Sequence, residues 1–226
     1  MELTVLDRIS FQVDLEQFFK KIHVIGKDGY MDKAGKLALV AQEIARPKAM
    51  YKTAYIEDKG QDYIVVEGIT FHSRVLRVNT EDVYRIFPYV ATAGVESEDW
   101  SASLSDMLEQ YWADVLKEMA LRHAIKSFQK HFSLHTYQGR TAAMNPGSLK
   151  EWPITEQKQL FRLLGDTHSL IGVKLKESML MSPIKSVSGI LFPSESNYEN
   201  CQLCSRERCP GRKAPYDQKL YQNKYA

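Results

Sequence analysis

The sequence predicts an α+β domain with a mixed, largely antiparallel sheet. Residues 103–132 read as one long amphipathic helix, and short β-branched segments before and after it read as strands. A second helix follows from about residue 155. Helices and strands that occur in separate runs, without a regular βαβ alternation, are typical of the α+β class.

The first 60 residues predict a helical N-terminal extension. Residues 14–19 and 32–45 each place apolar side chains at helical spacing. Pro47 ends the second of these helices, because the residue before a proline disfavours the helical conformation. Aliphatic side chains become few after residue 195. We therefore divide the chain into a helical extension (1–60), an α+β core (61–195) and a Cys-rich C-terminal extension (196–226).

Residues 61–95 predict extended structure. The segments 63–66 and 75–78 are rich in β-branched residues, which are common in strands. Residues 85–92 read as a buried strand that runs into Gly94. These segments are the expected strands of the sheet before the long helix.

The long helix carries an apolar stripe at helical spacing, and either Ser103 or Ser105 is its expected N-cap. About thirty residues would span about 45 Å, which leaves open a kink or a division into two helices. We expect Tyr111 and Phe128 to pack in the core. The stripe consists of Leu104, Leu108, Tyr111, Val115 and Met119.

Residues 139–153 predict a loop with a turn at Asn145-Pro146-Gly147-Ser148, since proline fixes φ and glycine adopts positive φ at little cost. Thr155 is the expected cap of the next helix, which ends near Gly165. Short strands are expected near the C-terminal side of this helix, at residues 173–175, 179–181 and 190–192.

Composition restricts the function only broadly. Hydrophobic residues make up 44% and charged residues 26% of the chain, as in ordinary globular proteins. The net charge of +2 is too small to indicate nucleic acid or an anionic membrane as a partner. No apolar run reaches the roughly 20 residues that cross a bilayer, and no signal peptide is visible. These features favour a cytoplasmic protein.

Four motifs follow one another between Gly139 and Phe192. They are Arg140 before the Pro146-Gly147 turn, Trp152-Pro153 before a Gln-bearing helix, Ile171-Gly172-Val173-Lys174-Leu175, and Met181-Ser182-Pro183-Ile184-Lys185-Ser186-Val187-Ser188-Gly189. This order resembles the activation (reactivation) domain family of cobalamin-dependent methionine synthase. The resemblance covers about residues 60–195 and is strongest over residues 139–192.

The resemblance implies a curved sheet flanked by helices, in a stand-alone accessory protein for a corrinoid methyltransferase or methionine synthase. Domains of this family place S-adenosylmethionine for reductive methylation of cobalt, which is catalysis by positioning. The cobalamin would be carried by a corrinoid-binding partner, and any enzymatic activity would be of the methyltransferase type. Two alternatives remain open: a corrinoid-activating redox protein with a Cys-bound iron–sulfur cluster, and a non-catalytic module that binds a corrinoid protein.

Candidate ligand-binding residues lie in the two loops of the resemblance. The planar guanidinium of Arg140 matches a carboxylate, and a glycine turn presents N–H groups to an anion. The resemblance implies that Arg140 and Gly147 bind S-adenosylmethionine. Hydroxyls and Lys185 in the second loop suit corrin amides or a carboxylate, but also suit a Ser-rich turn that caps a strand. The full set is Arg140, Met144, Asn145, Gly147, Ser148, Lys185, Ser186 and Ser188.

All three cysteines fall in one short segment, as Cys201-x-x-Cys204-x-x-x-x-Cys209. Thiolates at this spacing can face one centre, either a zinc ion with a fourth ligand from elsewhere or an iron–sulfur cluster with one open iron. One disulfide with a spare thiol, or three ordinary thiols, are the alternatives. We expect the sulfurs to converge and the basic residues near them to favour thiolate. We also expect packing around them by Tyr198, Pro210, Pro215 and Tyr216.

Overall fold

An antiparallel sheet of eight strands forms the centre of the computed structural model, which describes residues 3–195, 198–209 and 211–225. Two more strands, β8 and β9, form a small separate sheet. Every strand pairing within these described ranges is antiparallel. The strands are β1 (Leu3–Leu6), β2 (Lys48–Lys52), β3 (Ala54–Lys59), β4 (Tyr63–Val66), β5 (Ile69–His72), β6 (Arg85–Thr92), β7 (Thr141–Met144), β8 (Lys174–Leu175), β9 (Met181–Ser182) and β10 (Ser186–Pro193).

Helices flank the sheet, which confirms the predicted α+β class. They are α1 (Leu15–Lys21), α2 (Asp28–Ile44), α3 (Arg74–Asn79), α4 (Val95–Ser103), α5 (Met107–His135), α6 (Gln157–Leu164), α7 (Thr167–Ile171) and α8 (Gln218–Lys224). The long helix α5 covers one face of the sheet, and α3, α6 and α7 cover the other. Among the helices in the described residues, none is long and apolar enough to cross a membrane.

Strand β6 is the central element, because it is paired along both edges. One edge pairs with β2 and β3, and the other pairs with β10. Its side chains alternate between two cores: Ile86 and Val90 lie on the α6 side, whereas Phe87 and Tyr89 lie against α5. Burial on both faces explains why this strand reads as an almost continuous apolar run.

The segment 75–78 is helical, and the prediction of a strand there is wrong. It belongs to α3, whose N-cap Ser73 accepts a hydrogen bond at its Oγ from the Leu76 N–H, at 3.1 Å. Val75 and Leu76 are fully buried on the inner side of this helix. Burial of one face, together with the cap, outweighs the β propensity of two valines.

The long helix begins at Met107, later than predicted. Its N-cap is Asp106, whose Oδ1 accepts from the Leu108 N–H at 2.8 Å, whereas Ser103 is the last residue of the separate helix α4. The carboxylate caps the first turn of α5, after Leu104 has left the helical conformation at the end of α4. From Met107 to His135 the helix is continuous over 29 residues, so the open alternative of a division into two helices is not the observed one.

The buried face of α5 lies beside the predicted stripe. Tyr111 is 49% exposed, against the prediction, whereas Phe128 is buried as predicted. Small side chains explain the shift, because alanines on α5 and α2 let the two helices approach closely. The buried residues of α5 are Trp112, Ala113, Leu116, Met119, Ala120, Ala124, Phe128 and Phe132.

Two segments predicted as loops supply strands. β7 occupies residues 141–144, and β10 begins at Ser186. The two strands pair with each other, and β10 also pairs with β6. Their small side chains carry little β propensity, so the partner strand determines their conformation. Thr155 is likewise not a helix cap: it lies in a 3₁₀ turn, Ile154–Glu156, that runs directly into α6.

The two terminal segments are joined closely to the rest. β1, β2 and β3 belong to the main sheet, so the boundary near residue 60 remains a proposal about sequence organisation. At the other end, Tyr198 and Tyr225 are buried in the core on the α6 side. Pro215 and Tyr216 are exposed, contrary to expectation, and Pro210 lies outside the described residues.

Candidate functional site

A cavity of about 310 Å³ opens between the turn after β7 and the start of β10. Asn145 and Pro146 form one wall, and the segment from Met179 to Ser188 forms the other. Gln157, the first residue of α6, also lines it. The volume is at the lower end of the range for small-molecule sites. None of the described residues that line it is ionisable.

The polar side chain of Asn145 lies in this cavity directly after the last residue of β7, where the pairing with β10 ends. Continuing the register Met144↔Ile190 would bring Pro146 opposite Ser188, and proline has no N–H to donate. The Asn145 side chain supplies the donor instead: its Nδ2 donates to the Ser188 carbonyl at 2.6 Å and to Tyr89 Oη at 3.0 Å. Burial raises the pKa of Tyr89, and the bond from Asn145 opposes this rise.

Glycine is required next to this amide. A Cβ at Gly189 would lie 2.4 Å from Asn145 Nδ2 and 2.7 Å from the Met144 carbonyl oxygen. Any side chain would therefore displace the amide that closes the end of the strand pair. The close approach of β7 thus explains the Ser188-Gly189 pair at the end of the fourth motif.

Gln157 gives the cavity a buried hydrogen-bond acceptor. Its side chain is held by one bond, from Nε2 to Ser188 Oγ at 3.1 Å, and the residue is only 2% exposed. Gln157 Oε1 is buried and has no hydrogen-bond partner among the described residues. Buried polar atoms are seldom left unpaired, so this oxygen marks a point for a ligand or a water molecule.

The mouth of the cavity is apolar. Leu180 is 65%, Ile184 66% and Ile154 45% exposed, although each is a large aliphatic side chain. All three line the cavity, around its polar floor. An exposed group of this kind commonly marks a site of interaction with a ligand or partner.

The Gly147 turn separates this cavity from a larger one. Gly147 has φ 81° and donates its N–H to the Trp152 carbonyl at 2.8 Å. A Cβ at this position would lie 2.7 Å from Ile154 Cδ1. Ser148 Oγ donates to the Asn145 carbonyl at 2.6 Å, and this hydrogen bond within the turn stabilises its conformation.

The remaining predicted ligand residues take different positions. Ser186 and Ser188 line the 310 Å³ cavity, whereas Lys185 forms an ion pair with Asp114 of α5 at 2.8 Å. Met144 is fully buried in the core. Arg140 is exposed just before β7, roughly 16 Å along the extended strand from Asn145. The structure therefore brings Asn145 together with the two serines in the 310 Å³ cavity. Gly147 and Ser148 line the larger cavity on the other side of the turn, and Arg140 lies at the other end of β7.

A second cavity, of about 730 Å³, lies between the Gly147 turn and the C-terminal extension. Cys204 and Tyr216 are among its lining residues, opposite Gly147 and Ser148. Asn200 Nδ2 donates to Ser148 Oγ at 3.1 Å, which ties the extension to the turn.

The cysteine segment is organised around Arg212. The guanidinium donates to the carbonyls of Cys201 at 3.1 Å and Cys204 at 3.2 Å, so it binds backbone oxygens. Sγ of Cys201 accepts from the Lys213 N–H at 3.3 Å. In the described part of the chain, no group of three or more His, Cys, Asp or Glu residues is arranged to hold a metal ion. Convergence of the three sulfurs on a metal or cluster remains a prediction.

Sequence reasoning missed Gln157 and Tyr89 as residues of the site. A glutamine at the start of a helix reads as a surface residue, and a tyrosine in an apolar strand reads as core. Both reach the site only because β10 lies between them, a pairing of distant segments that no local pattern reveals. One local signal was present, the Ser188-Gly189 pair. The hydroxyl of Ser188 bonds Gln157, and the missing Cβ of Gly189 leaves room for Asn145.

Comparison with known proteins is consistent with this geometry. Residues 85–211 match the family model described as vitamin B12 dependent methionine synthase, activation domain. The match covers more than half of the chain, so the protein belongs to this family. Among solved structures, it is similar to the MetH reactivation domain bound to AdoHcy, with a TM-score of 0.63 and 13% identity over 88% of this chain and 81% of that one. No curated protein matches the chain.

Proposed function

We propose that this protein reactivates a corrinoid protein by holding S-adenosylmethionine for methylation of reduced cobalt. The match to the activation-domain family across residues 85–211, which contain both ligand loops, carries this proposal. The similar solved domain binds AdoHcy, the demethylated form of that methyl donor. The chemistry would be positioning of the sulfonium methyl group, in the cytoplasm, on a cobalamin carried by a partner.

The proposed arrangement places the methyl donor along β7 and the turn that follows. Arg140 binds the carboxylate at the exposed start of the strand, and backbone groups of the Gly147 turn bind the other end of the ligand. The corrinoid-bearing partner docks across the mouth formed by residues 144–148 and 181–189, where Leu180 and Ile184 are exposed.

Calorimetry with S-adenosylmethionine tests the proposal. We expect the wild type to bind and Arg140→Ala to bind at least about tenfold more weakly, because a charge-assisted hydrogen bond is lost. Arg8→Ala, an exposed arginine outside this loop region, is the matched control and should bind as the wild type does. No heat from the wild type at millimolar ligand would remove the methyl-donor role and favour a non-catalytic binding module.

A second candidate is an electron-delivering activator. It is supported by Cys204, which lines the larger cavity opposite Gly147. A cluster at the cysteines would then lie next to the turn that holds the methyl donor, and could pass one electron to the cobalt of the docked partner. Reduction of a cob(II)alamin partner by the anaerobically purified protein, and its loss in Cys204→Ser, distinguishes this function from methyl transfer alone.

A further inference from the structure

The C-terminal end of α5 carries two histidines on one face. The helix runs through His135, so His131 and His135 are four residues apart on neighbouring turns. Their ring centroids are 4.5 Å apart, and the ring planes are inclined at 42°. Neutral imidazole is the commonest metal ligand in proteins, and two rings this close can bind one ion through a nitrogen of each.

The spacing of the rings restricts the geometry of such an ion. A ring nitrogen that bonds a metal at about 2.0–2.1 Å places the ion roughly 3.2 Å from the centroid of its ring. Two rings bound in this way have centroids about 4.5 Å apart for a right angle at the metal, and about 5.2 Å apart for a tetrahedral angle. The observed 4.5 Å matches the right angle. Square-planar sites with nitrogen donors are typical of Ni²⁺ and Cu²⁺.

A buried tyrosine supports the ring of His131. Nδ1 of His131 lies 3.1 Å from Tyr51 Oη, which in turn lies 2.7 Å from Thr136 Oγ1. The Tyr51 hydroxyl can therefore accept from the imidazole N–H while it donates to Thr136. This arrangement leaves the lone pair of His131 Nε2 available for a metal. Histidines that bind metals commonly donate their other N–H to such an acceptor. Tyr51 is only 1% exposed, so packing in the core holds its ring in place.

Electrostatics also favour a cation at this end of α5. Burial lowers the pKa of His131, and the charge of His135 lowers it further, so the His131 ring is neutral at pH 7. The last turn of a helix carries a partial negative charge, which attracts cations. His131 lines an open cavity of about 350 Å³ together with Asp7 and Arg8, whose charges have opposite signs. His135 is exposed, so an ion can reach the pair from solvent.

We propose that His131 and His135 form a bidentate site for a divalent transition-metal ion of the Ni²⁺ or Cu²⁺ type, with Tyr51 as a positioning residue. Within the described ranges, no third His, Cys, Asp or Glu is arranged to join them, so water completes the coordination. Neither histidine is among the described residues that line the cavities beside the Gly147 turn. The inference therefore goes beyond the proposed function and does not depend on it.

Calorimetric titration with Ni²⁺ tests the site. The full chain is used with Cys201, Cys204 and Cys209 changed to serine, because thiolates would compete for the ion. We expect one ion per chain. His135→Ala in this background should bind at least about tenfold more weakly, because the second bond of a chelate forms at high effective concentration. His168→Ala is the matched control: this exposed histidine lies on α7, and its loss should leave the affinity unchanged.

A second variant tests the role of Tyr51. Tyr51→Phe keeps the ring in the core and removes the hydroxyl that accepts from His131, so we expect affinity for Ni²⁺ to fall by about tenfold. A change in packing alone would alter the free energy of unfolding, measured with urea without metal, and would leave the affinity for Ni²⁺ as it was. Unchanged affinity in Tyr51→Phe therefore overturns the positioning role.

Three results would overturn the site itself. The first is the absence of saturable binding by the serine background at millimolar Ni²⁺. The second is equal affinity in the background and in His135→Ala, an exposed change that does not disturb the core. The third is one ion per two chains, because the ion would then be held between copies and not by one helix.

Discussion

At the scale of single residues, a few positions fix the geometry of the site. The Asn145 amide replaces a strand bond that Pro146 cannot make, and Gly189 leaves room for it. The sequence reveals the turn because proline and glycine have local conformational effects. It does not reveal Gln157, because the burial of that side chain depends on β10, thirty-one residues away.

Gly147→Ala should destabilise the protein and weaken S-adenosylmethionine binding. The residue has φ 81°, which costs an L-residue about 1–2 kcal/mol, and the new Cβ would lie 2.7 Å from Ile154 Cδ1. Urea unfolding measures the first effect and calorimetry the second. Gly29→Ala is the matched control, since a Cβ there meets nothing within 4 Å and lies in α2, where alanine is favoured. Equal stability of the two variants would show that the turn tolerates a side chain.

At the scale of elements, strands and helices with strong local patterns were predicted and those with weak ones were not. β6 is buried on both faces and reads as a continuous apolar run. The strand predicted at residues 85–92 is therefore found at those residues. The helix α3 was predicted as a strand because two valines dominate a six-residue segment. Its conformation follows from the Ser73 cap and the burial of Val75 and Leu76, which are tertiary effects.

Ser73→Ala should lower the free energy of unfolding by about 1 kcal/mol, because the Leu76 N–H loses its cap and both groups are buried. Urea unfolding followed by far-UV circular dichroism measures the change. Ser133→Ala, on the exposed side of α5, is the control and should change stability by less than about 0.5 kcal/mol. A Ser73→Ala variant as stable as the control would mean that packing alone maintains α3.

At the scale of the whole molecule, the C-terminal extension is held to the core by two kinds of contact. Tyr198 and Tyr225 are buried against the α6 side of the sheet, and Arg212 binds carbonyls within the cysteine segment. Burial raises the pKa of Tyr225 to about 12, although its hydrogen bond to Asn79 acts in the opposite direction. Clustered cysteines predicted that the segment is ordered, but a guanidinium that binds carbonyls has no sequence signature.

We expect the protein purified without oxygen to contain iron and sulfide, or zinc, bound by Cys201, Cys204 and Cys209. Binding free energy would add to the order of the extension, so a chelator should increase hydrogen exchange across residues 198–209. Elemental analysis and exchange mass spectrometry measure both effects. The Cys209→Ser variant should contain less metal than the wild type. Ser205→Ala is the matched control: it leaves every thiol in place and should contain as much metal as the wild type. A metal-free wild type with unchanged exchange would leave three thiols organised by Arg212.

The double pairing of β6 has a consequence for the order of folding. Tyr89 and Gly189 are neighbours in the sheet but are a hundred residues apart in sequence. On a growing chain, β1 to β6 can assemble first and α5 can then cover one face, while the second edge of β6 stays open until β10 is complete. An open apolar edge is a template for pairing with other chains. Such long-range closure is also slow, because loop entropy is lost before the contacts form. Early chains are therefore exposed to aggregation for the whole synthesis of α5, α6 and α7.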